Sequence, residues 1–507
     1  MDYVTNKSYW IDSAETAPDY PPLAGETLAD VVVIGAGITG LTAAWHLKQA
    51  GQRVVVLEAG RVGAGTSGAT SAHLDGHPDQ GARKLINDFG EAPAQAVTAG
   101  RMAAIDQIEN WCGQFSDDCE FQRVPAFLYS ESADGSQELR EEGQALARLG
   151  LQADFLDDVG LPFYAAGGVR IENQARFHPL RFLRELAKQV HGDDCVIHEH
   201  SRAQPPADGA PCTVETAGGK VTAGAVLLCT HSAFLGVSEL DLRIAPYQSY
   251  VVVARVAESL PDGLFWDDAS PYHYLRRARG DDPHLLVVGG ADHKTGQGHD
   301  ERDAMRQLDR YLAERFAKHS IEHAWSAEYF DSSDHLPFIG RVPLKKNLYI
   351  GTGYSGTGLT FGTLAGQLLA DVVLGRPSPL AEILSPSRVQ LLAAARDFVM
   401  ENTNVAWRFA KDRLEATPVD SLDEIQPGQG CVVRFEGETL AAYRDGSGML
   451  TTLSPTCTHA GCHVRWNEWE KTWDCPCHGG RYSPTGERIY GPPPHDLKQI
   501  TPDGSNE

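Results

Sequence analysis

The chain has 507 residues, more than a single domain usually contains, and with 42% hydrophobic and 22% charged residues its composition is that of a globular protein. The formal net charge of -24, without any cluster of Lys and Arg, argues against nucleic acid and against an anionic membrane surface as the main partner. No export signal and no transmembrane segment is visible, so we expect a cytoplasmic protein of two or three domains.

The first recognisable unit is a strand, a glycine turn, a helix and a second strand. Val31 to Ile34 are a short β-branched run typical of a buried parallel strand. The turn that follows carries the pattern G-x-G-x-x-G at Gly35, Gly37 and Gly40. These glycines allow backbone N–H groups at a helix N-terminus to approach a pyrophosphate. Glu58, at the end of the strand Val54 to Leu57, can accept hydrogen bonds from a ribose, so the unit predicts dinucleotide binding.

A second glycine cluster, "NLYIGTGYSGTGLTFG", also follows a strand and opens a helix. Its glycines, Gly351, Gly353 and Gly356, repeat the same pattern. No strand with a terminal acid follows the helix, so half of a separate nicotinamide-binding unit is missing. We therefore expect this helix N-terminus to point at the same cofactor from the other end of the domain.

These two clusters, together with "GAGTSGATS" (Gly63 to Ser71) and "DHLPFIGR" (Asp334 to Arg341), resemble the D-amino-acid-oxidase-like family of FAD-dependent oxidoreductases, which includes sarcosine and glycine oxidases. The resemblance implies FAD as cofactor. It implies an α/β, Rossmann-like FAD-binding domain assembled from discontinuous segments, with an α+β antiparallel-sheet substrate domain. It places Thr66, Ser67 and Thr70 near the pyrophosphate or flavin, and Gly353, Ser355 and Gly356 by the isoalloxazine.

The resemblance also implies domain boundaries within residues 1–380. FAD-binding segments are expected at roughly 28–110, 170–245 and 325–380, and the substrate domain at roughly 111–169 and 246–324. Strands of the substrate domain are expected in "RIAPYQSYVVVARV" and "LLVVGGADHKTG".

Family members oxidise C–N bonds by moving a hydride equivalent to the flavin, and the protein positions the substrate. The candidate substrate contacts are Tyr247, Tyr250, Tyr272, Tyr274, Arg276, His293 and Lys294, and the candidates for a catalytic role are Tyr250, Tyr274, Arg276 and His293. Arg276 could pair with a substrate carboxylate, although an arginine is more often a solvated surface charge. Some relatives attach FAD covalently through a histidine near the position of His73, but here we expect an ordinary histidine.

Beyond residue 380 the pattern changes twice. Residues 381–416 predict a helical linker that is apolar on one face and charged on the other. Residues 417–507 predict a small all-β domain, because short runs such as "GCVVRF", "TLAAYRD" and "GMLTTL" are separated by turn residues.

This β domain contains four of the ten cysteines within 21 residues. One loop supplies Cys457 and His459, in the order C-x-H, and the next supplies Cys475 and His478, in the order C-x-x-H. Zinc fingers usually pair cysteine with cysteine and histidine with histidine. One thiolate and one imidazole from each loop suits a [2Fe–2S] centre with two Cys on one iron and two His on the other. Zinc remains the alternative.

At these residues the domain resembles the Rieske [2Fe–2S] domain, specifically the disulfide-containing kind of cytochrome bc complexes. The resemblance implies that Cys457, His459, Cys475 and His478 bind the cluster and that Cys462 and Cys477 form a disulfide. It also places Tyr482 near a ligand thiolate. Where that family often has a serine that donates to a cluster sulfur, this chain has Gly480, which we expect to lower the reduction potential. On that account, replacing Gly480 by serine should raise it.

The combination predicts a dehydrogenase in which an amine or amino acid reduces FAD, and electrons then pass through the Rieske cluster to an external one-electron acceptor protein. Two alternatives stay open: a reductase with reverse flow from an external donor protein, and an oxidase in which the cluster is a redox sensor or structural element. A Rieske oxygenase would need a mononuclear iron site of two His and a carboxylate on a further apolar catalytic domain, and the sequence offers no such domain.

Overall fold

The computed structural model of the protein describes residues 7–15, 18–298, 301–388, 401–405 and 416–501. These ranges contain a six-stranded sheet with a small three-stranded sheet beside it, a nine-stranded sheet, and two four-stranded sheets at the C-terminal end. Within them, no helix has both the length and the apolar character that crossing a membrane requires.

The six-stranded sheet is built on continuous apolar runs. Its strands follow one another in the order Phe338–Arg341, Leu348–Thr352, Ala225–Leu228, Val31–Ile34, Val54–Leu57 and Cys195–His198. All neighbouring pairs are parallel except the first. The central strands are buried along their whole length, as expected for parallel strands covered on both faces.

The two faces of this sheet are covered differently, because successive side chains of a strand point to opposite sides. Val31 and Val33 pack in the core formed with the helices Ile38–Gln49, Pro179–Val190 and Gly358–Val373. Val32 and Ile34 pack in a second core, which includes the three-stranded sheet of Gly25–Leu28, Gly219–Ala223 and Cys212–Glu215.

The nine-stranded sheet is mainly antiparallel. Its strands are His319–Ser332, Ile244–Val256, Asp282–Lys294, His273–Arg279, Leu264–Asp267, Gln122–Ser130, Gly167–Arg176 and His73–Leu74, and Ala153–Leu156 pairs with Gly167–Arg176. The long strands Ile244–Val256 and Asp282–Lys294, which contain the predicted substrate-domain strands, are antiparallel neighbours. The strand His319–Ser332 runs through position 325, where the third predicted FAD-binding segment begins.

The remaining helices of the first 388 residues surround these sheets. They are Tyr9–Ser13, Ala82–Phe89, Glu91–Cys112, Ala133–Arg148, Arg302–Arg315 and Leu380–Ile383, with a 3-10 turn at Thr66–Gly68. Arg302–Arg315 places Met305, Leu308 and Leu312 in a core with the nine-stranded sheet. The predicted helical linker 381–416 lies mostly outside the described residues; within it, 401–405 are helical.

The C-terminal domain consists of two small sheets. One contains Thr417–Pro418, Gly430–Phe435, Glu438–Arg444 and Leu450–Leu453, and the other contains Arg465–Asn467, Thr472–Asp474, Arg481–Tyr482 and Arg488–Tyr490. The predicted fold class is confirmed: an α/β dinucleotide-binding sheet, an antiparallel substrate sheet and a small all-β domain. A short 3-10 turn, Leu422–Glu424, is closed by a capping box at Ser421.

Candidate functional site

The first glycine cluster forms a turn that only glycine fits. Gly35 has a φ of +102°, and a Cβ there would lie 2.4 Å from the carbonyl oxygen of Cys229. A Cβ on Gly40 would lie 1.9 Å from the carbonyl oxygen of Gly35. The glycines therefore let the helix Ile38–Gln49 begin directly after the strand Val31–Ile34. Its N-terminus points into the space at the end of the sheet.

Glu58 ends the neighbouring strand, as the sequence predicts. Its Oε2 accepts from the N–H of Ala36 and its Oε1 from the N–H of Gly60, both at 2.8 Å. Burial raises the pKa of this carboxyl, and the two backbone donors oppose the shift. The carboxyl group is therefore fixed in orientation beside the glycine turn, in the position that a ribose-binding acid requires.

A cavity of about 1010 Å³ extends from this point. Its volume lies at the upper end of the range for ligand pockets. Most of the predicted cofactor-binding residues line it: Gly35, Gly37, Glu58, Thr66, Ser67, Thr70, Ser355 and Gly356. Gly40 lies in the first turn of the helix Ile38–Gln49, and Gly353, with a φ of +74°, lies in the loop after the strand Leu348–Thr352; the cavity lining does not include them. A cavity lined by a glycine turn, a fixed acid and a second helix N-terminus fits FAD.

The loop predicted to lie near the flavin is held by side chains from distant parts of the chain. Four consecutive carbonyl oxygens, from Gly68 to Ser71, accept hydrogen bonds from Ser8 Oγ (2.6 Å), Trp325 Nε1 (2.7 Å), Trp10 Nε1 (2.7 Å) and Arg276 Nε (2.9 Å). The loop therefore has a fixed backbone against which a planar ring system can pack.

This arrangement corrects the interpretation of Arg276 as a substrate carboxylate ligand. The guanidinium is buried, lies over the Trp10 ring and donates to the carbonyls of Ser71 and Arg277, outside the cavity lining. Burial lowers the pKa of Arg276 to about 9. The side chain braces the flavin loop from behind.

Of the other catalytic candidates, the structure brings only Tyr274 into the cavity wall. Tyr250 and His293 stack on each other with ring centroids 5.3 Å apart, and Tyr250 also packs on Trp469 of the C-terminal domain. They belong to the contact between the domains. Tyr272 lines the cavity, whereas Tyr247 and Lys294 meet Glu401. His73 also lines the cavity, and its Nδ1 lies 2.9 Å from Ser71 Oγ.

Sequence reasoning missed the acids of the cavity. Asp79 lines it and accepts from the N–H of Gly356 at 2.9 Å, beside the Tyr272 hydroxyl. Asp292, directly behind the wall, accepts from the Tyr329 hydroxyl at 3.0 Å. Desolvation in the cavity wall raises the pKa of Asp79 and that of Asp292 to about 6. No motif marks either residue, because each is placed by contacts with distant segments of the chain rather than by neighbours in sequence.

In the C-terminal domain, the structure brings the four predicted cluster ligands together. Cys457, Cys475, His459 and His478 are all buried, and the two imidazoles lie with ring centroids 4.9 Å apart at 85°. Within the part of the chain that the structure describes, the Nδ1 atoms of both histidines and Nε2 of His459 are buried without a hydrogen-bond partner. Buried polar atoms are rarely left unpaired in proteins. A pair of neighbouring thiols, Cys457 with Cys475, beside a pair of imidazoles fits a cluster with two Cys and two His ligands.

Cys462 and Cys477 form a disulfide with an S–S distance of 2.11 Å, whereas Cys457 and Cys475 are free thiols. The bridge joins the two ligand loops, so Cys477 is bonded to Cys462 while Cys475, two positions earlier, keeps a free thiol. The neighbouring Cys475 thiol and the Tyr482 hydroxyl lower the pKa of Cys457 to about 6. A thiol that ionises readily is a better iron ligand.

Gly480 lies against a proline. A Cβ added there would lie 2.4 Å from Cγ of Pro493 and 3.4 Å from the sulfur of Cys457. A serine at this position therefore requires the proline segment to move, so it is not the simple addition of one donor that the sequence suggests. The expected rise in the reduction potential of the cluster on Gly480→Ser stays a prediction. A substitution at Tyr482 tests more directly whether hydrogen bonds to the ligand sulfur tune that potential.

The C-terminal domain closes part of the cavity wall. Five of its polar residues line the same cavity as the flavin loop: Glu470, Thr472, Arg481, Arg488 and Tyr490. Glu470 accepts from Gln248 Nε2 at 2.8 Å and from Ser326 Oγ at 2.6 Å, both on the nine-stranded sheet. At the end of the cavity where Glu58 lies, Arg202 donates to the carbonyl of Ile489 at 3.2 Å. The two domains therefore share one wall.

Comparison with known proteins agrees with both halves of the site. The FAD dependent oxidoreductase family model matches residues 30–372, and the Rieske [2Fe-2S] domain model matches residues 415–501. The chain is 32% identical over 497 residues to the Rieske 2Fe-2S iron-sulfur protein YhfW of Bacillus subtilis, covering 97% of each chain. It is 28% identical over 388 residues to the gamma-glutamylputrescine oxidoreductase of Escherichia coli, covering 73% of this chain and 89% of the relative.

Among solved structures, glycine oxidase from Geobacillus kaustophilus superposes with a TM-score of 0.62 at 17% identity, covering 71% of this chain and 99% of the oxidase. At that identity the likeness supports the fold alone. The family matches decide for FAD over a nicotinamide and for a [2Fe–2S] cluster over zinc. The chain belongs to the FAD-dependent oxidoreductase family and carries a C-terminal Rieske [2Fe–2S] domain.

Proposed function

We propose that the protein oxidises the C–N bond of an amine and passes the electrons, one at a time, through the Rieske domain to an external acceptor. The observation that carries this proposal is the shared wall: residues of the C-terminal domain line the flavin cavity, and the ligand His459 faces the flavin domain. The two binding sites therefore lie in adjoining parts of the structure, which supports direct electron transfer between them.

The cofactors supply the redox chemistry: FAD takes a hydride equivalent from the substrate, and a [2Fe–2S] cluster transfers single electrons. The substrate loses two electrons and two protons to become an imine, which water hydrolyses to a carbonyl compound and ammonia, or to a carbonyl compound and an amine when the substrate is a secondary amine. Two equivalents of a one-electron acceptor take the electrons. The protein holds the substrate, shields the cavity and fixes both centres.

The substrate end of the cavity favours a cation over a carboxylate. Asp79 and Asp292 lie around the Tyr272 and Tyr329 rings, and aromatic rings with carboxylates bind ammonium groups. Among the described residues that line the cavity, the arginines are Arg202, Arg481 and Arg488, all at the wall shared with the C-terminal domain.

These arginines already have partners. Arg481 donates to Asp474 at 2.9 Å and also pairs with Glu470. Arg488 donates to the carbonyls of Pro493 and Pro494. Without a free guanidinium near the tyrosines, a substrate carboxylate would be desolvated without a partner, which is costly. The proposal is therefore an amine rather than an amino acid.

The test is an anaerobic titration of the holoprotein with matched pairs that differ by one carboxylate, such as putrescine with ornithine and isoamylamine with leucine. We expect the amine of a pair to bleach the flavin absorbance, and the EPR signal of the reduced Rieske cluster to follow. Bleaching without that signal would refute the relay and favour an oxidase. Faster bleaching by the amino acids would refute the amine assignment. Reduction of the flavin only from a chemically reduced cluster would indicate reverse flow.

A further inference from the structure

A carboxylate of the flavin domain touches a cluster ligand. Asp241 Oδ2 lies 3.3 Å from Nε2 of His459, and the two side chains are 2% and 1% exposed. Asp241 belongs to the segment between the strands Ala225–Leu228 and Ile244–Val256, which also places Thr230, His231 and Phe234 in the cavity wall. One segment of the flavin domain therefore reaches both the flavin cavity and the cluster.

The carboxylate of Asp241 is fixed before it meets the histidine. Its Oδ2 accepts from the backbone N–H of Ser238 at 2.7 Å and from the Ser238 hydroxyl at 2.8 Å. The N–H of Asp241 in turn donates to the carbonyl of Ser238 at 3.3 Å. A carboxylate held by a tight turn loses little freedom when it accepts a further hydrogen bond, so the contact with His459 is preorganised.

The tautomer of His459 follows from its ligand role. Among the described residues, neither ring nitrogen of His459 makes a hydrogen bond of ordinary geometry, and the oxygen that faces Nε2 is Asp241 Oδ2 at 3.3 Å. With Nδ1 as the iron ligand, the ring proton would be on Nε2. Nε2 then faces Asp241, and the N–H···carboxylate pair makes the imidazole more electron-rich. A negative charge next to the cluster also opposes the arrival of an electron.

We propose that Asp241 is a positioning residue for electron transfer between the domains. It accepts the Nε2–H of His459, fixes the imidazole edge of the cluster against the flavin domain, and lowers the reduction potential of the docked cluster. This inference rests on the proposed function, since a docked cluster matters only if electrons cross there. It extends that function by naming the residue through which the flavin domain holds and tunes the cluster.

The test compares full-length holoprotein with Asp241→Asn and with Glu239→Gln, in an EPR-monitored redox titration without substrate. Glu239 is an exposed carboxylate two residues away, so its variant removes the same charge without the contact. For Asp241→Asn we expect a higher midpoint potential, seen as an increase of about tenfold in the ratio of reduced to oxidised cluster at a fixed ambient potential, the scale of one charge-assisted hydrogen bond. Glu239→Gln should leave the ratio unchanged.

A second measurement uses protein freed of its cluster. Backbone hydrogen exchange across residues 457–463 should be faster in Asp241→Asn than in the wild-type protein or in Glu239→Gln, because the loop loses its anchor. Ser238→Ala serves as a second variant if Asp241→Asn does not incorporate a cluster. It removes the hydroxyl donor that helps to fix the carboxylate, so it should shift the midpoint potential in the same direction by a smaller amount. An unchanged potential together with unchanged exchange would overturn the inference. Neither the midpoint potential nor the hydrogen exchange depends on turnover. A failure of the proposed electron transfer from FAD to the cluster would therefore appear only in the amine titration.

Discussion

The Tyr482 hydroxyl lies 3.2 Å from the sulfur of Cys457, inside the buried core of the C-terminal domain. The same hydroxyl accepts from the N–H of Thr458 at 3.2 Å, and two acceptors lie within reach of its own proton, the Cys457 sulfur and Thr458 Oγ1 at 3.3 Å. A hydrogen bond to a ligand sulfur withdraws electron density from the iron and favours the reduced cluster.

We therefore expect Tyr482→Phe to lower the midpoint potential of the cluster, by the equivalent of roughly 1–1.5 kcal/mol for one lost hydrogen bond. The measurement is an EPR-monitored redox titration of the full-length protein. Tyr443→Phe is the matched control, because Tyr443 lies in the same domain and packs on Trp466 with ring centroids 5.0 Å apart. A potential that is the same in both variants would show that the hydroxyl does not tune the cluster.

Loss of the disulfide should destabilise the ligand loops. The bridge between Cys462 and Cys477 closes a loop with a sequence separation of 15 residues. A loop of this size is worth about 3 kcal/mol of unfolding free energy in the chain-entropy model. The double variant Cys462→Ala with Cys477→Ala should unfold at a lower denaturant concentration and retain less iron and acid-labile sulfide. Cys431→Ala, which removes a free cysteine of the same domain, should retain both properties of the wild type.

Arg276 should affect FAD binding rather than substrate specificity. Its Nε donates to the carbonyl of Ser71, which a lysine cannot reproduce in the same geometry. Arg276→Lys should raise the dissociation constant for FAD by about tenfold, the scale of one hydrogen bond from a charged donor. Equilibrium dialysis of apoprotein measures this directly. The neighbouring Arg277 donates to Leu260 instead, so Arg277→Lys should retain wild-type affinity. Equal losses in the two variants would contradict the role assigned to Arg276.

Binding of an amine cation should strengthen as the pH rises through about 6. Desolvation raises the pKa of Asp79 and of Asp292 to about 6, so both carboxyls are largely neutral at pH 5 and ionised at pH 7. The dissociation constant of tert-butylammonium, which carries no hydrogen on its α-carbon, should be about tenfold higher at pH 5 than at pH 7, because one pH unit below the pKa leaves about a tenth of the carboxylate. Calorimetric titration measures it.

The double variant Asp79→Asn with Asp292→Asn should flatten this pH profile, because it removes both titrating carboxyls. Asp154→Asn, at an exposed position of the strand Ala153–Leu156, should reproduce the wild-type profile. Pivalate, which has the same shape with the opposite charge, should bind more weakly at pH 7 than at pH 5. A pH-independent affinity for tert-butylammonium would remove the carboxylates from the substrate site.

The parts of the site that the sequence determined by itself are those built from near neighbours in the chain. The turn at Gly35, Gly37 and Gly40 is set by backbone sterics within one strand–helix unit, and the acid Glu58 follows at the end of the next strand. The cluster ligands come as two short loops, C-x-H and C-x-x-H, so their chemistry is visible in the spacing. Local geometry of this kind needs no knowledge of the rest of the fold.

Only the tertiary structure decided which side chains meet across distant segments. Arg276 and Tyr274 lie two residues apart on the strand His273–Arg279, yet one braces the flavin loop and the other lines the cavity, because different distant segments pack against the two side chains. The contact of Asp241 with His459 depends on how two separately folded domains dock. Docking is fixed by the complementarity of whole surfaces, and no short pattern of residues encodes it.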